Sequence, residues 1–140
     1  MTGWSIREGN RDDIPALLEL WRIAGSVPTP SDHSDSLATL VEHDPRALLV
    51  AESDGTLVGS IIAAWDGWRG SFHRLAVQRG CRRRGLATEL VRIGEARLRD
   101  RGAVRLAAIV ARDEEAALEF WAAQGYRFQP DHLRFTSDRG

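Results

Sequence analysis

The stretch LAVQRGCRRRGLATELV, residues 75–91, places the tightest limit on what this chain can fold into. Up to Val77 the chain runs in short apolar stretches broken by turn residues. From Leu86 onward apolar residues recur at helical spacing. Between the two lie Arg82, Arg83, Arg84 and Gly85. A strand that hands over to a helix through arginines and a glycine builds a place for an anion. The first turn of a helix has unpaired backbone N–H groups and partial positive charge. Glycine lets the backbone come close to a ligand because it has no side chain. Arg79 adds a fourth guanidinium within six positions. A solvated cationic face is the plain alternative for any arginine cluster, and the surrounding chain must choose between the two.

Upstream, RALLVAESDGTLVGSIIAAWDGWRGSFHRLAVQ (46–78) holds three apolar runs separated by SDG and DGWRG. These turn signals predict a three-strand antiparallel meander. WSIRE (4–8) reads as a first strand. Ile14, Leu17, Leu18 and Trp21 form an i, i+3, i+4, i+7 stripe, with Asp12 or Asp13 as cap and Gly25 as stop, so a helix follows. SVPTPSDHS (26–34) is a loop, and 35–43 makes a second helix. A long helix over 86–101 buries Ala87, Leu90, Val91, Gly94 and Leu98. A strand over 104–111 comes next, then a helix capped by Asp113 and ended by Gly125, then one or two strands around Pro130. The expected class is α+β, in one domain spanning 1–140, a length that can bury a real core.

Charge narrows the partners. The formal net charge is -1, with no lysine, so no global basic field for nucleic acid exists. The arginine-only basic set fits a GC-rich bacterial genome. The single cysteine, Cys81, cannot form an intramolecular disulfide and fits a reducing cytoplasm. No apolar run approaches the ~20 residues of a membrane span, and MTGWSIREGN has no secretory apolar region. His33, His43, His73 and His132 are scattered one per element, so no metal site is expected. A Walker loop is excluded because no Gly-Lys-Ser/Thr occurs. A Rossmann unit would carry its glycines after the first strand of a parallel sheet, whereas here they follow hairpins.

With these elements in order, the arginine stretch resembles the acyl-CoA signature of the GNAT superfamily of N-acetyltransferases, here Arg82-x-x-Gly85-x-Ala87. EEAALEFWAAQGYRF (114–128) is similar to that family's second motif, a helix ending in an aromatic pair and then Gly-aromatic. The element order matches over nearly the whole chain. The resemblance implies a mostly antiparallel central sheet, splayed at the cofactor gap and flanked by helices. It implies acetyl-CoA as cosubstrate, with an amine as acceptor. The pyrophosphate would sit on backbone N–H groups of Arg83, Arg84, Gly85, Leu86 and Ala87, with Arg82 on phosphate or bracing the loop. Arg79 and Arg84 would reach toward the 3'-phosphate. The backbone of Leu75 and Val77 would bond the pantetheine arm.

The resemblance also suggests His73 as a general base, the position at which arylalkylamine-acetylating relatives carry a histidine; Glu52, Asp66 or a water chain are the alternatives. Trp121 stands where many relatives have a tyrosine general acid. An indole N–H donates a hydrogen bond but not a proton, so thiolate stabilisation would fall to a backbone N–H, water or Tyr126. Glu114 stands near the place of a family asparagine. Two other classes stay open: a non-catalytic acyl-CoA-binding or regulatory module, which Trp121 suggests, and a nucleic-acid binder using the arginine loop. Trp21, Trp65 and Trp68 lie in the segments that form the acceptor cleft in the family, and a homodimer is a further expectation left open.

Overall fold

A computed structural model describes residues 3–138. By its internal contacts the chain divides into two compact units, one running up to Ala107 and the other starting at Ala108.

The first unit holds the sheet as far as Ala107. Strands β1 (Ser5–Glu8), β2 (Leu48–Ser53), β3 (Thr56–Trp65), β4 (Gly70–Val77) and β5 (Leu106–Ala108) lie side by side in that order. The first three neighbouring pairs are antiparallel. Helices α1 (Ile14–Ala24) and α2 (Ser34–His43) precede β2, and α3 (Leu86–Asp100) connects β4 to β5. β3 reads as an unbroken apolar run, and seven consecutive residues from Leu57 to Ala63 are buried. A strand covered on both faces gains nothing from alternation. On one face Leu17, Leu20, Trp21 and Leu37 from α1 and α2 pack on Leu48, Val50, Ile62 and Ala76. On the other, Leu86, Leu90 and Leu98 anchor α3. Gly94 allows that approach, because a Cβ there would sit 2.8 Å from Phe72 Cε1.

Caps and boundaries differ from the expected ones in four places. Asp13 is the N-cap residue of α1, as expected, but its side chain makes no capping bond to that helix; the side-chain cap lies one turn earlier, at Asn10. Asn10 Oδ1 accepts from the Asp12 N–H at 2.9 Å, and Asp13 Oδ2 accepts from the Asn10 N–H at 2.8 Å. This reciprocal pair caps a 3-10 turn, Arg11–Asp13, that leads into the helix. In the second unit α4 spans Glu115–Ala123 with no side-chain cap, so Asp113 does not play that role. β5 covers three residues rather than the eight expected. Among the described residues, none from 126 to 138 forms a strand. The spacing of Phe128, Leu133 and Phe135 reads as strand, yet these side chains are exposed. A strand exists only as a hydrogen-bonded pair, and Pro130 brings no backbone donor.

Candidate active site

The turn from β4 into α3 carries the anion-site geometry. After β4 comes a short 3-10 turn, Arg79–Cys81, and then residues 82–85. Arg83 has φ 62° and Gly85 φ 90°, so two positions in this loop take the left-handed backbone. Gly85 is the N-cap residue of α3, and no side chain caps the helix there. A Cβ on Gly85 would meet no atom within 4 Å, so the first turn of α3 faces open space. Leu86 and Leu90 pin the helix from below at 1% and 0% exposure. Arg79, Arg82, Arg83 and Arg84 are exposed around this end. Backbone donors, a helix N-terminus and a ring of guanidinium groups suit a pyrophosphate.

The arginines are not equivalent. Arg82 Nε donates to the Val77 carbonyl at 3.0 Å, and its Nη2 donates to the Ala24 carbonyl at 3.1 Å. It braces the loop by tying the end of β4 to the C-terminus of α1, where a cation is favoured. Arg84 lies over the Trp4 ring at 5.5 Å, and Trp4 Nε1 donates to Glu89 Oε2 at 2.9 Å.

β4 carries the next part. Along its border with β3, Ser60 pairs with Ala76 and Ile62 with His73. β3 advances two residues while β4 advances three, so β4 bulges at Arg74 and Leu75. Arg74 has φ 54°. Bulges re-aim side chains and backbone groups, and they concentrate next to active sites. β5 is too short to run alongside all eight residues of β4. The Gly70 N–H donates to the Arg105 carbonyl at 3.1 Å, which sets the start of β5 at the N-terminal end of β4, away from Leu75 and Val77. Of these two, Val77 has its carbonyl engaged by Arg82.

His73 is exposed on β4, with Nε2 2.9 Å from Ser71 Oγ. Glu52 and Asp66, the alternatives to His73, are engaged elsewhere. Glu52 lies on β2, where it accepts from Arg7 Nε at 3.1 Å. Asp66 Oδ1 accepts the backbone N–H groups of Arg69 and Trp68 at 2.6 and 2.8 Å in the β3–β4 turn. Those bonds, the Arg69 one first, hold its carboxyl below the usual range and make it a weaker base. In the second unit Trp121 is 8% exposed and packs edge-on against Phe120 (5.4 Å) and Tyr126 (4.9 Å). Among the described residues no cluster of His, Cys, Asp or Glu could hold a metal. No helix among them is long and apolar enough to cross a membrane.

Sequence reasoning missed Arg74 and its partners. One signal was present: Ser60 is a lone hydroxyl inside an apolar run.

The description "Acetyltransferase (GNAT) family" covers a family model that matches residues 14–126. The chain belongs to this GNAT family of acetyltransferases. An acetyltransferase of Yersinia pestis (strain Pestoides F) is 33% identical over 124 residues, covering 89% of this chain and 88% of the relative. Among solved structures, an Ard1 protein from Thermoplasma volcanium superposes with a TM-score of 0.81 at 19% identity, over 91% of this chain and 84% of that one. The PaiA N-acetyltransferase of Thermoplasma acidophilum, solved in complex with coenzyme A, gives 0.79 at 16% identity over 92% of each chain. The GNAT fold and an acetyltransferase activity are thereby established for this chain.

Proposed function

We propose that this acetyltransferase uses acetyl-CoA to acetylate an amine, on a small molecule or a peptide N-terminus. The observation that carries the reading is the uncapped N-terminus of α3 behind Gly85, ringed by exposed arginines. The coenzyme A complex of the Thermoplasma acidophilum neighbour supports it. In this reading backbone N–H groups from Arg83 to Ala87 bind the pyrophosphate. Arg82 holds the loop, Arg79 and Arg84 supply charge toward the 3'-phosphate, and the β4 backbone at Leu75 and Val77 aligns the pantetheine arm. Acetyl-CoA, when bound, would supply an activated thioester, and its acetyl group would pass to the amine nitrogen with coenzyme A leaving as the thiolate. His73 takes the proton that the amine must lose. Ser71 Oγ beside Nε2 steadies the ring. Trp121 acts as a packing residue between Phe120 and Tyr126 and gives up no proton. The family match runs from residue 14 to 126, which supports a single domain. The lone thiol of Cys81 goes with a cytoplasmic setting.

Acetyl-CoA should raise the melting temperature, since a ligand that binds only the native state stabilises it, by about 2.7 kcal/mol at 100 times Kd. Gly85→Val should remove that shift. A valine at φ 90° is strained, and its branches fill the space in front of the helix N-terminus. The comparison is the ligand-induced shift in each folded protein. A folded Gly85→Val protein with an undiminished acetyl-CoA shift would defeat the reading of the loop. Turnover against a panel of amines then identifies the acceptor class.

A further inference from the structure

Arg74 is a long, branched cation in a left-handed backbone position in the middle of a strand. Such a residue costs energy at that φ and persists only when its surroundings hold it. Here they hold it from both ends. Its carbonyl accepts from Ser60 Oγ at 3.0 Å, and Ser60 Oγ in turn accepts from Trp21 Nε1 at 2.9 Å. Ser60 and Trp21 are 0% and 4% exposed, so this chain of bonds lies in the core between α1 and the sheet. The guanidinium lies over the Trp21 ring at 5.4 Å. It reaches into the 26–33 loop, where Nε donates to Asp32 Oδ1 at 3.0 Å and Nη2 to the Val27 carbonyl at 2.9 Å. Nη2 also donates to Thr29 Oγ1 at 3.2 Å and forms the second contact of the Asp32 pair. The side chains of Arg74 and Asp32 are only 17% and 13% exposed. Thus one residue fastens the bulge of β4, beside His73, to the loop between α1 and α2.

We infer that Arg74 is a positioning residue for the acetyl acceptor: its pair with Asp32 latches the 26–33 loop to the β4 bulge and sets the approach of the amine to His73. The inference rests on the reading of β4 as the strand along which transfer occurs. A bidentate guanidinium–carboxylate pair fixes geometry as well as distance, and a lysine cannot reproduce the fork. Misplacement of a reacting group by about 1 Å can cost on the order of a hundredfold in rate. A loop released from this latch would admit the acceptor in many orientations, while the α3 N-terminus would stay as it is.

The test uses the full chain with Asp32→Asn, Arg74→Lys and Arg74→Gly. Glycine accepts the left-handed backbone, so the bulge survives while the guanidinium is lost. Asp32→Asn leaves β4 untouched. Hydrogen exchange at the amides of Val27, Thr29, Ser31 and Asp32 should speed up by about tenfold or more in Asp32→Asn and Arg74→Gly, with α3 amides unchanged. With the amine that turns over best, kcat/KM for the acceptor should fall by about tenfold to a hundredfold in both, while KM for acetyl-CoA stays within about twofold. Arg74→Lys should fall between these variants and the wild type. Unchanged exchange at 27–32 in either variant overturns the latch. So does a loop that loosens with acceptor kinetics unaltered, or an Arg74→Gly enzyme with full activity. Loss of acetyl-CoA and acceptor parameters in equal measure would show a merely structural role. A wild-type protein with no acetyl-CoA shift would instead count against the proposed function, and the exchange comparison would still decide the latch.

Discussion

At residue scale, His73 and Ser71 stand two apart on β4, with Nε2 and Oγ 2.9 Å apart. A histidine that takes an amine proton matters most where the acceptor is itself protonated. A neutral imidazole keeps one ring nitrogen free of a proton, and that nitrogen can accept one. We expect His73→Ala to cost roughly 10²–10⁴-fold in turnover at neutral pH. The loss should shrink at high pH, where free amine no longer needs a base. Recording kcat/KM against pH for both proteins checks this, and a profile lowered by one constant factor at every pH would assign His73 a structural role only. Arg82 shows why residue type alone does not settle a role. It belongs to the anion loop by position, yet its described hydrogen bonds go to two carbonyls that close the loop.

At the scale of elements, α4 is a nine-residue helix whose one buried residue is Trp121. Its indole meets Phe120 and Tyr126 edge-on, the arrangement that aromatic quadrupoles favour. If packing is its task, another aromatic ring should replace it. Trp121→Phe should keep turnover within about tenfold of wild type, since no proton transfer is lost. Trp121→Ala should instead lower stability by about 3–5 kcal/mol, the range for deleting a buried aromatic side chain. Denaturant titration together with steady-state kinetics on both variants measures the two effects. A stable Trp121→Phe enzyme that loses several hundredfold in kcat would make the indole N–H essential. The hairpin between β3 and β4 makes a similar point. Asp66 spends its carboxylate on two backbone N–H groups of its own turn, so the turn holds it as a structural residue.

For the whole molecule, pH dependence of stability follows from carboxylates that folding holds ionised. Asp13 is the most embedded of those whose shift is resolved. The Arg7 guanidinium bonds both its oxygens at 2.8 Å, and this holds its carboxyl below the ordinary value. Arg7 also bonds Glu52, so the cluster ties β1, the turn before α1 and β2 together. Hydrogen bonds from Arg22 and from the Arg69 amide lower Glu19 and Asp66 in the same direction. A group lowered on folding contributes its stability in full above its unfolded pKa. That contribution is lost as pH falls through the folded value. The protein should therefore hold its melting temperature down to about pH 4 and lose it below. Asp13→Asn should unfold at lower temperature at neutral pH, by about 1 kcal/mol of stability, with a shallower decline below about pH 4. Melting curves from pH 7 to acid check this. An acid limb equally steep in the variant would remove Asp13 from the account.

What could be read in the sequence was local. The SDG and DGWRG turns mark both hairpins of the meander, because turn geometry depends on a few adjacent residues. The stripes of α1 and α3 appear because a helix satisfies its own backbone, so its period is written in its own residues. Gly85 at the head of α3 belongs to the same class, as a φ requirement of one residue. A strand, by contrast, takes its hydrogen bonds from elsewhere in the chain. That is why β5 stops at three residues and why 126–138 forms no strand despite a strand-like pattern. The bulge at Arg74 depends on the register between β3 and β4, which no short stretch encodes. Nor does a short stretch say which carbonyls Arg82 will reach, 5 and 58 residues away, or that Asp32 will meet Arg74 across 42. The sequence by itself determined the helices, the meander and the glycine turn into α3; the tertiary structure alone decided the extent of the last strands and the pairings that aim the rest, because those contacts join residues far apart in the chain.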